Sequence, residues 1–326
     1  MKKYLSKIER YILRLINRIF YGGKQAPKEI TLISSECLNE FIYQGIMSDT
    51  SFMVARYGSI ELEAALYPYL VKLSIWKRYK LFAQKKIKFL RYTQAYAQEL
   101  MNPLCNNAGF FPNDIKLMSR YFNRLCVNDS PCCDCLCCSE WIREDLAQPF
   151  LRDEVKYAAL NHMEPYDYAN PWSRALAGKK VLVIHPFAKM IEKQYQNRKY
   201  LWQNPDVLPD FELKTIKAVQ TIAGETSDFN TWFDALHYME QQMDAIDYDV
   251  AIIGCGAYGF SLAAHAKRMG KRAIHLGGAT QILFGIKGKR WDELPAVNKF
   301  YNEYWVYPSA GETPKHKDRV EGGCYW

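Results

Sequence analysis

Between Asp249 and Trp291 the chain reads DVAIIGCGAYGFSLAAHAKRMGKRAIHLGGATQILFGIKGKRW: an apolar run, a glycine-rich turn, a helical pattern, a second apolar run and a basic loop. Gly254, Gly256 and Gly259 match G-x-G-x-x-G in the strand-to-helix context that gives this spacing its meaning. Glycines at such a turn let the backbone approach a phosphate, and the helix that follows offers unpaired N–H groups and a partial positive charge. The expected ligand is nucleotide-like; the plainer alternative is a tight strand-to-helix crossing with no ligand. Downstream, Lys287, Lys289 and Arg290 stand among glycines, two point charges and a bidentate fork suited to a pyrophosphate. A solvated basic loop is the alternative there. Thr280 and Gln281 would add a hydroxyl and an amide to the same site.

A dinucleotide site ends its second strand in an acid that holds the ribose, about 20 residues past the glycines. Here that strand, Ala273–Leu276, runs into Gly277-Gly278-Ala279-Thr280 with no acid. This counts against both a nicotinamide dinucleotide and S-adenosylmethionine. The run VLVIHP closes on His185, which could bind phosphate, act as a general base or be structural. A short apolar strand, Phe52–Ala55, ends in Arg56-Tyr57-Gly58 and opens a helix at Ser59. Arg56 and Ser59 are thus expected at a strand's C-terminal edge, where open α/β sheets bind ligands. Ser59 would also make a natural N-cap, with Glu61 or Glu63 favouring the first turn. Asp134, Trp141, His162 and Glu164 are acceptor-side candidates that spacing alone does not place.

The elements that must position these residues follow from periodicity. Helical patterns cover 36–47, 59–70, 78–101, 114–126, 187–203 and 229–246; strand patterns cover 52–55, 181–186, 213–222 and 250–253. Strands alternating with helices predict an α/β fold, a Rossmann-like, largely parallel sheet with helices on both faces. We expect a basic amphipathic helix over 1–24 and one α/β domain over 30–326. Turns near 170–178 divide it into a front half, 30–170, and a nucleotide-binding half, 178–326.

The net charge of +8 is uneven: residues 1–91 hold 17 Lys/Arg against 7 Asp/Glu. Lys7, Arg10, Arg14 and Arg18 interleave with Ile8, Ile12, Leu15 and Ile19 at helical spacing. That pattern is too charged to span a bilayer and lacks a signal-peptide core, so it predicts an interfacial helix at the cytoplasmic membrane surface. A terminal helix packed on the domain is the alternative. A second run, Lys72, Lys77, Arg78, Lys80, Lys85, Lys86, Lys88 and Arg91, could share that surface or form a solvated helix face. No nucleic-acid motif accompanies the charge. The cysteines of PCCDCLCC fit neither a zinc nor a disulfide framework, so they are expected to be reduced and to pack as small apolar residues.

Arg56-Tyr57-Gly58-Ser59-Ile60-Glu61 resembles the R-F/Y-G-D-x-E signature of GT-D-fold glycosyltransferases of bacterial surface-polysaccharide and glycoprotein assembly. The stretch ending GGATQILFGIKGKRW, with YPSAGETP and VEGGCYW, resembles GT-D-like proteins of polysaccharide clusters. The resemblance implies transfer of a sugar from a nucleotide-sugar, with UDP as carrier, to a surface-polysaccharide or lipid-linked glycan. It implies donor contacts from Arg56, Tyr57 and Gly58, and a divalent metal (Mn²⁺ or Mg²⁺) held by the D-x-E pair. Glu61 matches the family's Glu, and Ser59 stands where its Asp would be, with Asp49 or Glu63 as compensating ligands. On that donor, Tyr258 would stack on the uracil. The alternatives are a Rossmann-type NAD or S-adenosylmethionine enzyme, and a non-catalytic sugar-nucleotide-binding partner.

Overall fold

The computed structural model describes residues 2–24, 30–87, 90, 92–139 and 144–326, with side chains from residue 7 onward. Its eight strands are β1 (Leu32–Ile33), β2 (Phe52–Ala55), β3 (Cys135–Cys138), β4 (Lys156–Ala159), β5 (Lys180–His185), β6 (Glu212–Lys217), β7 (Val250–Ile253) and β8 (Arg272–Ile274). They form one sheet in the order β1-β4-β3-β2-β8-β7-β5-β6, and every pairing is parallel. The two halves of the chain therefore share one sheet, joined where β2 lies beside β8 with Met53 opposite Ala273.

Parallel strands covered on both faces read as unbroken apolar runs, and these do. Val181, Val183, Val250, Ile252, Val54, Cys135 and Cys137 point into one core. Leu182, Ile184, Ala251, Ile253, Met53, Leu136 and Cys138 point into the other. The cysteine cluster is thus largely a buried strand, and all ten cysteines are free.

The helices are α1 (Lys2–Tyr21), α2 (Ser35–Met47), α3 (Ser59–Lys72), α4 (Ile75–Ala83), α5 (Gln94–Ala108), α6 (Met118–Phe122), α7 (Ala188–Gln196), α8 (Arg198–Leu201), α9 (Trp232–Asp244), α10 (Gly259–Arg268), α11 (Ala279–Leu283), α12 (Lys289–Asp292) and α13 (Pro295–Asn298). Buried residues of α3, α5, α9 and α10 cover one face of the sheet, and those of α2, α7 and α11 the other.

Four expected elements differ. The pattern over 114–126 is α-helical only in α6, with a 3-10 turn at Ile115–Leu117 before it and a π-helical stretch at Asn123–Asp129 after it. The pattern over 78–101 breaks after Ala83, where Lys85 takes a left-handed φ of 56°, and α5 restarts on a Thr93 hydroxyl cap. The pattern over 187–203 divides at Asn197 into α7 and α8. The strand expected to reach residue 222 stops at Lys217; beyond it the chain turns, with Ala223 at φ 59°.

Candidate active site at the C-terminal edge of the sheet

The chain leaves β5 toward β6 but leaves β7 toward β8, so connections diverge between two neighbouring strands. It also leaves β2 toward β3, away from β8. Such divergences open crevices beyond the strands' C-terminal ends. The β5/β7 crevice is an aromatic cleft lined by His185, Phe187, Gly254, Tyr258, Tyr325 and Trp326 among others. The β2/β8 crevice is charged and holds Arg56, Glu164, Leu276, Arg290 and Trp291. Gly278 borders both.

The glycine turn sits at the aromatic cleft, but its glycines make room for protein. A Cβ on Gly254 would stand 2.4 Å from the Gly277 carbonyl and 2.6 Å from the Thr280 hydroxyl. Gly256, at φ +57°, would meet the Ala108 carbonyl at 2.6 Å, and Gly259 would meet Nε2 of His275 at 2.2 Å. All three are explained by close crossings of α5, β8 and the turn before α11. The plainer alternative, a tight crossing, accounts for the three glycines without a ligand, while Gly254 and Gly256 still line the cleft.

The charged crevice is built around Arg56. Its guanidinium lies over Gly277, and its charge acts on Glu61, Glu164 and Tyr325. Arg290 enters from α12, pairs with Glu321 and lies 4.8 Å from the Tyr325 ring centre. Glu164 is half-buried and accepts a 2.6 Å hydrogen bond from the Tyr166 hydroxyl. Burial raises its carboxyl above the usual range, with Asp167 adding to the shift and the Tyr166 bond and Arg56 opposing it. Its place directly after a short helical turn that follows β4 gave no signal in the spacing.

Glu61 folds back over its own helix N-terminus, its carboxylate beside Gly58; burial raises its pKa, with its own backbone N–H and the Arg56 charge opposing the shift. Gly58 leaves the space for this, since a Cβ there would stand 1.9 Å from a Glu61 carboxylate oxygen. Gly58 is also the cap residue of α3, without a side-chain bond, and Ser59 is an exposed first-turn residue; the expected Ser59 N-cap is not formed. Tyr57 is buried, stacked on Phe260 at 4.6 Å and bonded to the Ser130 hydroxyl, so it packs the core and does not reach a donor.

The compensating ligands do not converge on Glu61. Asp49 precedes β2 and so lies at the opposite edge of the sheet, and Glu63 accepts a hydrogen bond from Tyr96. Among the described residues no three His, Cys, Asp or Glu side chains gather as metal ligands. A site for hard divalent cations needs several oxygen ligands. The described residues near Glu61 do not fit one, and cationic charge is supplied there by Arg56.

In the aromatic cleft, Nδ1 of His185 accepts the Phe187 backbone N–H at 3.0 Å. Burial pushes the His185 pKa down to about 3. The neutral ring carries its proton on Nε2, so it is a hydrogen-bond donor; the expected general-base role is corrected. Tyr258 stacks on Trp232 at 5.1 Å and 8°, its ring in the core, which removes the expected stacking on a base. The buried Tyr258 hydroxyl and Trp326 indole N–H find no protein partner among the described residues, although both residues line the cleft.

Of the remaining candidates, Gln281 donates to the carbonyls of Lys287 (3.0 Å) and Tyr325 (3.2 Å), tying the basic loop to the C-terminal segment. Thr280 is fully buried against Gly254. Lys287 points over the rings of Tyr301 and Tyr307, and Lys289 bonds the Gly322 carbonyl at 3.1 Å. Of the three loop cations, only Arg290 lines the charged crevice. Asp134 lies at the N-terminal edge, bonded to the Met53 N–H and paired with Arg152 and Lys267. His162 does not line either crevice, and Trp141 lies outside the described residues. Sequence reasoning missed Tyr325 and Trp326 as site residues; their signal was an aromatic pair after Gly322-Gly323, both at positive φ.

No family model matches the chain, and no curated protein matches it. One solved structure, described as a selenomethionine-substituted domain of unknown function 1792, matches over 83% of this chain and 82% of that chain. The two are 11% identical and superpose with a TM-score of 0.36, a likeness that carries no information about activity.

Proposed function

We propose that the chain is a glycosyltransferase. Its nucleotide-sugar donor, with UDP as the carrier implied by the RYGSIE resemblance, lies with its diphosphate at Arg56 and Arg290 and its nucleoside in the aromatic cleft. The observation that carries this reading is one charged crevice, holding two arginines and the Glu164 carboxylate, that meets an aromatic cleft at Gly278. As the bond from the sugar to the diphosphate breaks, negative charge grows on the leaving oxygen. Two guanidinium groups already in place stabilise that charge without reorganising. Glu164, facing the same crevice, takes the proton of the attacking acceptor hydroxyl, as an inverting displacement requires. Glu61 is a positioning residue for Arg56. A surface-polysaccharide or lipid-linked glycan is the proposed acceptor class.

The test is ligand-induced thermal stabilisation followed by turnover. UDP-sugars are expected to raise the Tm of the wild-type protein and not of Arg56→Ala. Glu164→Gln is expected to keep donor binding and lose transfer by about a hundredfold or more. Stabilisation by NAD or S-adenosylmethionine alone would overturn the reading. A donor that binds and is never consumed with any glycan acceptor would favour the non-catalytic partner.

A further inference from the structure

Helix α1 has three faces. Leu13 and Asn17 form the packed one: Leu13 is buried with Ala83 and Leu90, and the Asn17 amide donates to the Ala83 carbonyl at 2.7 Å. On the same side Glu9 accepts from the Tyr79 hydroxyl at 3.1 Å. A second face carries Ile8, Ile12, Leu15 and Ile19, spaced as one stripe, and they are 47–68% exposed. The third carries Arg10, Arg14 and Arg18, all exposed. Trp76, at the start of α4, is 76% exposed, and a groove between the two helices runs past it to Phe20. Soluble monomers rarely leave so many large apolar side chains together without a partner.

We infer that α1 and the exposed flank of α4 form a docking platform for an anionic lipid surface. Apolar side chains beside guanidinium groups match the boundary between acyl chains and acidic headgroups. The charge balance singles out that occupant. Glu9 is the one acid in α1, and it is turned toward Tyr79. Exposed Lys77 and Lys80 on α4, with Lys72 at the end of α3, extend the positive field. The rest of that basic run has other roles where it is described: Lys86 is buried against Asp145 at 2.9 Å, and Arg78 donates to the Leu90 carbonyl. Lys88 and Arg91 lie outside the described residues. Among the described residues no helix is long and apolar enough to cross a membrane, so the contact is interfacial.

The platform stands apart from the site. Helix α3 starts beside Arg56 and α5 ends at the aromatic cleft, while α4 joins their other ends, the length of a 14-residue helix away. The inference therefore does not rest on the transferase reading, and each can fail alone.

The experiment is co-sedimentation of the full chain with vesicles of phosphatidylcholine alone, and of phosphatidylcholine with phosphatidylglycerol at roughly two to one. Binding only to the anionic vesicles is expected. Arg14→Gln with Lys77→Gln removes two exposed charges and should weaken it by about tenfold or more. Ile19→Ser with Trp76→Ser changes only exposed side chains, so circular dichroism should stay native while vesicle binding is lost. Wild-type protein that stays in the supernatant, or variants that sediment like wild type, would overturn the inference. So would a wild-type dimer that the Ile19→Ser/Trp76→Ser variant turns into monomers without any vesicle binding, which would assign the face to a second copy.

Discussion

Arg56 lies over Gly277, so close that a Cβ there would stand 3.3 Å from Nη1 of the guanidinium. The pair joins the ends of β2 and β8, where the His275 N–H also donates to the Val54 carbonyl at 2.9 Å. The front half of the chain supplies the arginine and the back half supplies the floor beneath it.

Gly277→Ala should therefore do two things. At φ +66° the added methyl strains the backbone, costing about 1–2 kcal/mol in urea unfolding. It also pushes Arg56 aside and weakens UDP-sugar binding in calorimetry. Gly270→Ala is the control: φ is +78° with nothing within 4 Å of the new methyl, so stability should fall while donor affinity holds.

Gly58→Ala tests Glu61 without touching it. Gly58 has an ordinary φ of −74°, so the fold should lose less than about 1 kcal/mol. The new methyl evicts the Glu61 carboxylate. If that carboxylate positions Arg56, kcat/KM should drop as far as in Glu61→Gln. Full activity in Gly58→Ala would remove Glu61 from the mechanism.

Transfer should survive an excess of chelator, because among the described residues guanidinium groups and not a carboxylate set face the crevice. The measurement is initial rate with and without chelator, after dialysis. A rate that collapses and returns with Mn²⁺ would show that Glu61 ligates a metal with the donor's own phosphates.

The acid limb of kcat/KM should lie above the usual carboxylate range, since burial raises Glu164 and its ionised form is the base. Asp167 adds to that shift, so Asp167→Asn should move the limb to lower pH, while His185→Gln should leave it in place. A limb unmoved by Asp167→Asn would mean that another group is the base.

His185 and His275 are both held neutral, with pKa values of about 3. A folded-state pKa below the unfolded value gives stability that is present above about pH 6.5 and lost as pH falls toward the folded pKa. Between pH 7 and pH 5 each histidine should remove about 2 kcal/mol. The difference between wild type and His185→Gln in urea midpoints across that range isolates the His185 share from the carboxylates.

Much of the architecture was legible in the chain because burial on two faces leaves a local mark. VLVIH and VAII could only be central strands, and RYGS had to follow a strand and open a helix. The spacing of residues 8–19 likewise marks the apolar and basic faces of α1, but not the face that Leu13 and Asn17 pack. The breaks at Lys85 and Asn197 were not legible, since helical periodicity continues through both.

The site divides along the same line. Sequence alone determined that glycines stand at a strand-to-helix turn and that Arg56 follows directly on a strand. These are properties of residue type and spacing. Only the tertiary structure decided what the glycines accommodate, because Ala108, His275 and Thr280 come from distant parts of the chain. It also decided that Arg290 and not Lys287 turns toward Arg56, that Tyr258 packs inward, and that Glu164 shares their crevice. Those choices depend on which strands become neighbours, and a parallel sheet makes neighbours of segments far apart in the chain.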